Sequence, residues 1–190
     1  IWQKTYGGSE YDRATSVQQT SDGGFVVAGD TQSYGEGGAD IWVLKLDAIG
    51  DVIWQKTYGG SDRYLAYSVQ QTSDGGYVVA GLTNSYGEGG GEADIWVLKL
   101  DSNGNMIWQK TYGGSYADYA NSVQQTSDGG FVVAGQSYSA GGRDIGVLKL
   151  DASGKILNCE LLADSFAIAQ DSIATPRIST ASPVITSVSP

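Results

Sequence analysis

Histidine is absent from the 190 residues, and cysteine occurs once, at Cys159. Those two shortages remove imidazole bases, zinc sites of the His/Cys type and any disulfide within the chain. Cys159 is expected to sit buried and inert rather than reactive. No stretch approaches the roughly 20 apolar residues that cross a bilayer as a helix, and no charged-then-apolar leader opens the chain. The chain also starts at Ile1 rather than Met, as a processed product or a piece of a longer polypeptide would. Basic residues are scarce: 11 Lys plus Arg stand against 21 Asp plus Glu, for a net charge of -10. That balance opposes attraction to phosphate backbones and anionic lipid, so neither nucleic acid binding nor membrane insertion is expected.

What the chain does have is glycine, 28 residues of it, beside a 41% hydrophobic content and only three prolines. Such a mix suits many short strands joined by tight turns. The sequence repeats itself. Ile1-Trp-Gln-Lys-Thr-Tyr-Gly-Gly-Ser9 returns at Ile53 and Ile107, spacings of 52 and then 54 residues. Ser16-Val-Gln-Gln-Thr-Ser-Asp-Gly-Gly24 returns at Ser68 and Ser122, and Val26-Val-Ala-Gly29 returns at Val78 and Val132. Asp40-Ile-Trp-Val-Leu-Lys-Leu-Asp47 returns at Asp94 and, with Gly146 in place of Trp, at Asp144.

Each block reads as a strand, because β-branched and aromatic residues dominate it and turn residues bound it. In Ile41 to Leu46 the side chains of Trp42, Leu44 and Leu46 share one face and those of Ile41 and Val43 the other. Both faces are apolar, so this strand must be covered on both sides. Trp54 to Tyr58 is more polar, as expected nearer a rim. Thr20 to Gly24 and Asp47 to Gly50 have the chemistry of hairpin turns. The expected fold class is therefore all-β, as tandem four-stranded antiparallel blade repeats, propeller-like or an open array of three units. The five tryptophans, Trp2, Trp42, Trp54, Trp96 and Trp108, are expected to pack rather than to stack on a ligand.

These blocks resemble bacterial and archaeal secreted β-propeller repeats, whose pattern is WQKTYGG, SVQQTSDGGYVVAG and DIWVLKLDxxGN. The resemblance covers roughly residues 1–157. It implies an array of four-stranded units on an extracellular or cell-surface protein, with no catalytic motif to carry over. Three units are fewer than the roughly four to eight blades of ordinary propellers, so a ring closed by one chain is not expected.

Beyond residue 157 the repeat stops: Leu157 stands where Trp is due, and Asn158-Cys-Glu-Leu-Leu162 replaces QKTYG. Residues 158–182 read as a Ser/Thr/Ala-rich linker or closing segment. Residues 183–190 read as a terminal strand, and Ser182 to Pro190 resembles the opening strand of immunoglobulin-like IPT/TIG domains. The repeats begin with an unpartnered WQKTY block and end with a surplus DIWVLKL-type block, so the two ends are complementary. Ile1, Trp2, Val184, Ile185 and Val188 are the expected subunit-interface residues, the last three as anchors of a strand donated to a neighbouring copy.

Variation between copies concentrates in two loops. Glu10 to Arg13 becomes Asp62 to Leu65 and then Tyr116 to Tyr119, while Gly35 to Gly38 becomes Gly87 to Glu92 and then Ala140 to Arg143. Tyr11, Arg13, Arg63, Tyr64, Tyr116 and Tyr119 are the ligand-binding candidates, because aromatic faces and Arg forks suit glycan or protein contacts; the alternative is solvated loop drift. Asp101 to Asn105 is oxygen-rich but lacks the spacing of a calcium loop and reads as a turn. Asp22, Asp74 and Asp128 likewise read as turn residues, and acids repeated in equivalent turns do not make one asymmetric acid/base pair. No catalytic residue, metal or cofactor is expected. No Asn-x-Ser/Thr sequon is present, since Asn84 and Asn121 are followed by Ser-Tyr and Ser-Val. Thr175, Ser179, Thr180 and Ser182 are candidates for O-linked sugar. The expected partners are other copies of the chain, with glycans or surface proteins as the alternative reading.

Overall fold

The computed structural model describes residues 1–85, 92–139, 142–156, 170–171 and 186–187. Among them every regular element is a strand. The first is β1 (Lys4–Thr5), followed by three repeats of a hairpin-linked meander. Sheet 1 contains β2 (Asp12–Gln19), β3 (Phe25–Thr31), β4 (Asp40–Leu46) and β5 (Val52–Tyr58), in that order. Sheet 2 contains β6 (Tyr64–Gln71), β7 (Tyr77–Thr83), β8 (Asp94–Leu100) and β9 (Met106–Tyr112), with the two-residue β13 (Gln170–Asp171) added on the β9 edge. Sheet 3 holds β10 (Asp118–Gln125), β11 (Phe131–Ser139) and β12 (Gly142–Leu150). The two-residue β14 (Thr186–Ser187) pairs with β1 of the same chain.

Sheets 1 and 2 thus run SVQQ, VVAG, DIWVLKL, WQKTY, sheet 3 holds the first three of these blocks among the described residues, and the break between sheets falls at the Tyr-Gly-Gly loop. All pairings are antiparallel, and the three sheets do not close into a barrel; they stand as an open tandem array. Turn chemistry sets the hairpins. Gly23 and Gly50 adopt φ of 82° and 80°, a region other residues enter only with strain. The Asp47 carboxylate accepts the N–H groups of Ile49 and Asp51 at 2.9 and 2.8 Å, which fixes the turn beyond β4. Asp101 does the same for Asn103 and Asn105 and also accepts the Asn105 side-chain amide, so its oxygens serve its own hairpin.

The core lies between sheets, as strands with two apolar faces require. β4, β7 and β8 are buried along their whole length. One cluster joins Val26, Ala28, Ile41 and Val43 of sheet 1 to Ala66, Val69, Val79 and Leu98 of sheet 2. A second joins Val78, Ala80, Ile95 and Val97 of sheet 2 to Ala120, Val123, Val133 and Leu148 of sheet 3. All five tryptophans pack. Trp42 and Trp96 are buried, Trp54 and Trp108 lie partly buried against the two main clusters, and the more exposed Trp2 meets Phe25 edge-on at 5.9 Å.

The repeat's end is displaced by one residue from its expected position. Leu150 bridges Ile156 as Leu46 pairs with Val52 and Leu100 with Met106. Leu157 therefore aligns with Ile53 and Ile107, and Asn158 takes the place of Trp. Cys159, the sugar candidates in the tail and the anchors Val184, Ile185 and Val188 lie outside the described residues.

Candidate functional site

Two side-chain systems join one sheet to the next, and both recur at each junction. The first belongs to the innermost strands. Ser16 and Gln18 on β2 accept the N–H groups of Val69 and Gln71 on β6, at 3.1 and 2.5 Å. Ser68 and Gln70 accept those of Val123 and Gln125 on β10, at 3.2 and 2.6 Å. In return Gln71 and Gln125 accept the N–H groups of Ser21 and Ser73, each at 2.8 Å. A repeated bulge assists: the register shifts between Ala14 and Ser16, and Thr15 in the gap donates to the Ala66 carbonyl at 2.7 Å. The inner edges of sheets 2 and 3, which would otherwise present bare N–H groups, are thus bonded by the preceding sheet.

The second system belongs to the outermost strands. Trp54 and Tyr58 on β5 donate to the carbonyls of Ser102 and Gly104, in the turn of the next sheet, at 3.1 and 2.6 Å. Trp108 and Tyr112 on β9 donate to Ala152 and Gly154 at 3.2 and 2.6 Å. Trp2 and Tyr6, flanking β1, donate to Ala48 and Gly50 at 3.0 and 2.7 Å. So β1 lies on sheet 1 as β5 lies on sheet 2 and β9 on sheet 3. Its described sheet partner is the two-residue β14 rather than a repeat block.

The two ends of the array lack what the interior junctions supply. On sheet 3, Ile145 is 86% exposed and Val147 60% exposed, whereas Ile41, Val43, Ile95 and Val97 at the same places are 2% or less. On sheet 1, Val17 is 66% exposed, against 5% and 3% for Val69 and Val123. Ser122 and Gln124, the counterparts of the bridging Ser and Gln side chains, are exposed. Beside Val17 a pocket opens on sheet 1, lined by Tyr6, Ala14, Val27, Trp42 and Leu44, with Arg13 at its side. Inside the array the equivalents Tyr58, Ala66, Val79, Trp96 and Leu98 form the wall that receives Ile41 and Val43.

The variable loops gather at the end of the sheets away from the Thr-Ser-Asp-Gly-Gly and Asp-x-x-Gly turns. The Glu10 N–H meets the Ser33 hydroxyl at 3.0 Å, and Ser85 donates to Asp62 at 2.6 Å. Tyr11, Arg63 and Tyr116 are exposed there. Arg13 is engaged, its Nε and Nη2 donating to Asp30 Oδ1 at 2.9 and 2.7 Å. Tyr119 packs edge-on to Tyr138 at 5.8 Å. Tyr64 is withdrawn from the candidate set, because it is 1% exposed and packed 5.2 Å from the Trp96 ring. Its place in the repeat is held by Asp12 and Asp118 in the other copies, so sequence alone ranked it as a loop variant when it is a core filler.

The repeated acids have structural partners. Asp22 meets Lys45 at 2.9 Å and Asp74 meets Lys99 at 2.9 Å. The hydrogen bond from Lys45 holds the Asp22 carboxyl well below the usual carboxylate range, with help from Thr20 and the Gly24 N–H. Burial acts to raise Asp74, but hydrogen bonds from Lys99, Thr72 and Gly76 bring it to about 2. Each lysine stands one residue before the end of its strand and reaches the turn of the preceding hairpin. Among the described residues no group of three or more His, Cys, Asp or Glu is gathered to hold a metal ion, and no helix is long and apolar enough to cross a membrane.

No family model matches the chain. It is 27% identical over 138 residues to the regulatory protein FlaEY of Caulobacter vibrioides, a match that covers 65% of this chain and 14% of that protein. The chain thus spans a small part of the length of the curated relative that it matches, and at this identity the likeness leaves the family open.

Proposed function

We propose that this is a non-catalytic structural repeat protein, extracellular or on the cell surface, that self-assembles head to tail through its terminal sheets. The observation that carries the reading is the exposure of Ile145 and Val147 at one end and Val17 at the other, in a chain that buries their counterparts at both interior junctions. Covering one such side chain contributes roughly 1.5 to 3 kcal/mol, which gives association a driving force. The placement outside the cell rests on the resemblance to secreted propeller repeats. The non-catalytic reading is supported by the acids of the equivalent turns, which pair with lysines or their own backbone. Size-exclusion chromatography with light scattering across a concentration series tests the proposal: assembly mass should rise with concentration, and Ile145→Asp should abolish the rise. A strict monomer at every concentration ends it.

A second reading, a glycan- or protein-binding module, is favoured by the exposure of Tyr11, Arg63 and Tyr116 in stretches that vary between copies. Glycan-array binding lost on Tyr11→Ala and Tyr116→Ala, in a monomeric protein, would select it over assembly.

A further inference from the structure

Among the described residues sheet 3 has three strands where sheets 1 and 2 have four from the repeat, and β1, paired with the two-residue β14, is a fourth-strand block that none of the three repeat sheets contains. The segment that follows Ile156 carries Asn158 where Trp54 and Trp108 stand, and Leu162 where Tyr58 and Tyr112 stand. It therefore lacks both side chains that dock an outer strand on the next sheet. The Trp2 and Tyr6 pair has them, and both are already seated on sheet 1. We propose that two copies of this chain close head to tail into a six-sheet ring, in which residues 2–6 of each copy form the fourth strand of the other copy's sheet 3. The proposal rests on the assembly reading above and names its joint.

The interior sheets dictate the register. β4 pairs with β5 as Ile41 with Tyr58, Val43 with Lys56 and Lys45 with Trp54. β8 pairs with β9 as Ile95 with Tyr112, Val97 with Lys110 and Lys99 with Trp108. Carried to the joint, Ile145 faces Tyr6, Val147 faces Lys4, and Lys149 faces Trp2 of the second copy. The same placement brings Ile145 and Val147 over the pocket lined by Ala14, Val27, Trp42 and Leu44. It also brings Ser122 and Gln124 to the inner edge of β2, where Ser16 and Gln18 serve β6. One contact thus completes the sheet, fills the pocket and bridges the inner strands. Among the described residues β14 engages β1 over two residues, whereas the interior register set by β4 and β5 would engage β12 over more. A heterologous contact either closes or propagates. Six units lie within the roughly four to eight that close a ring, and three do not.

Two single-cysteine chains test the joint in a Cys159→Ser background: Lys4→Cys in one, Val147→Cys in the other. Val147 is exposed, and Lys4→Cys gives up one ion pair, to the exposed Asp51 at 2.6 Å. On mixing and oxidation they should give a heterodisulfide at least tenfold faster than Lys4→Cys mixed with Lys149→Cys, which is out of register. Equal rates, or no cross-link while light scattering still reports assembly, overturn the joint and leave the assembly reading standing. A chain carrying both Lys4→Cys and Val147→Cys should oxidise to a species of twice the 19.9 kDa chain mass and no further. A ladder of higher multiples overturns closure at two copies. A monomer in every condition removes the assembly reading itself.

Discussion

At the residue scale, the glycines against which buried aspartates rest leave no room for a side chain. A Cβ at Gly113 would lie 1.7 Å from Asp94 Oδ1, and one at Gly59 would lie 1.7 Å from Asp40 Oδ1. Neither carboxylate has room to withdraw, since both residues are 3% exposed or less. Gly113→Ala should therefore destabilise the protein by about 2 to 3 kcal/mol in urea denaturation, the range of an overpacked core. Asp40 also sets a pH dependence. Burial pushes its carboxyl up to about 6, against the N–H groups of Glu36 and Gly60, which pull it down. The folded state thus holds this proton more tightly than the unfolded chain does. The stability that protonation confers is fully present below the unfolded value of 3.8 and is lost as pH rises towards 6. Asp40→Asn should gain about 2 to 3 kcal/mol on the wild type between pH 4 and pH 7. Asp74 contributes with the opposite sign: its stabilisation is present above 3.8 and is lost as pH falls towards 2. Comparing the two proteins by urea denaturation at pH 4 and pH 7 isolates the Asp40 contribution from the rest.

Single elements are held by bonds that pass between sheets rather than along them. Gln70→Ala would strip the acceptor from the Gln125 N–H and should cost about 1 to 2 kcal/mol in urea denaturation. The analogous change on the last sheet, Gln124→Ala, should cost less than half a kcal/mol in the monomer, because that side chain is exposed. The strand blocks and their turns were legible in the sequence, because two-faced apolar strands such as Ile41 to Leu46 and glycine-closed turns leave few other conformations. The inter-sheet role of Ser16, Gln18 and their copies was not. A polar inner strand reads as solvated until its neighbour is placed beside it. Nor did local pattern separate Tyr64, the first residue of β6, from Tyr11 or Tyr116, since all three fall in stretches of sequence that drift between copies. Ile41, Ile95 and Ile145 occupy matching sequence blocks yet range from buried to 86% exposed. What separates them is position in the array, which no window of residues contains.

For the whole molecule, sheet 2 is the one described sheet with another repeat sheet packed on each side. In the dilute monomer, amide exchange should accordingly be slowest in β7 and β8 and fastest in β12 and β2, a gradient that hydrogen-exchange mass spectrometry would read directly and that assembly should flatten. Uniform protection across the three sheets would contradict it. The interlock of Trp54 and Tyr58 with the following turn has a further bearing on how such chains change over time. Every unit meets its successor through the same contacts, so excising residues 53–106 would splice Val52 to Ile107 and recreate a junction already present. Gain or loss of a unit by recombination then alters the span of the array while sparing the chemistry by which its members recognise one another.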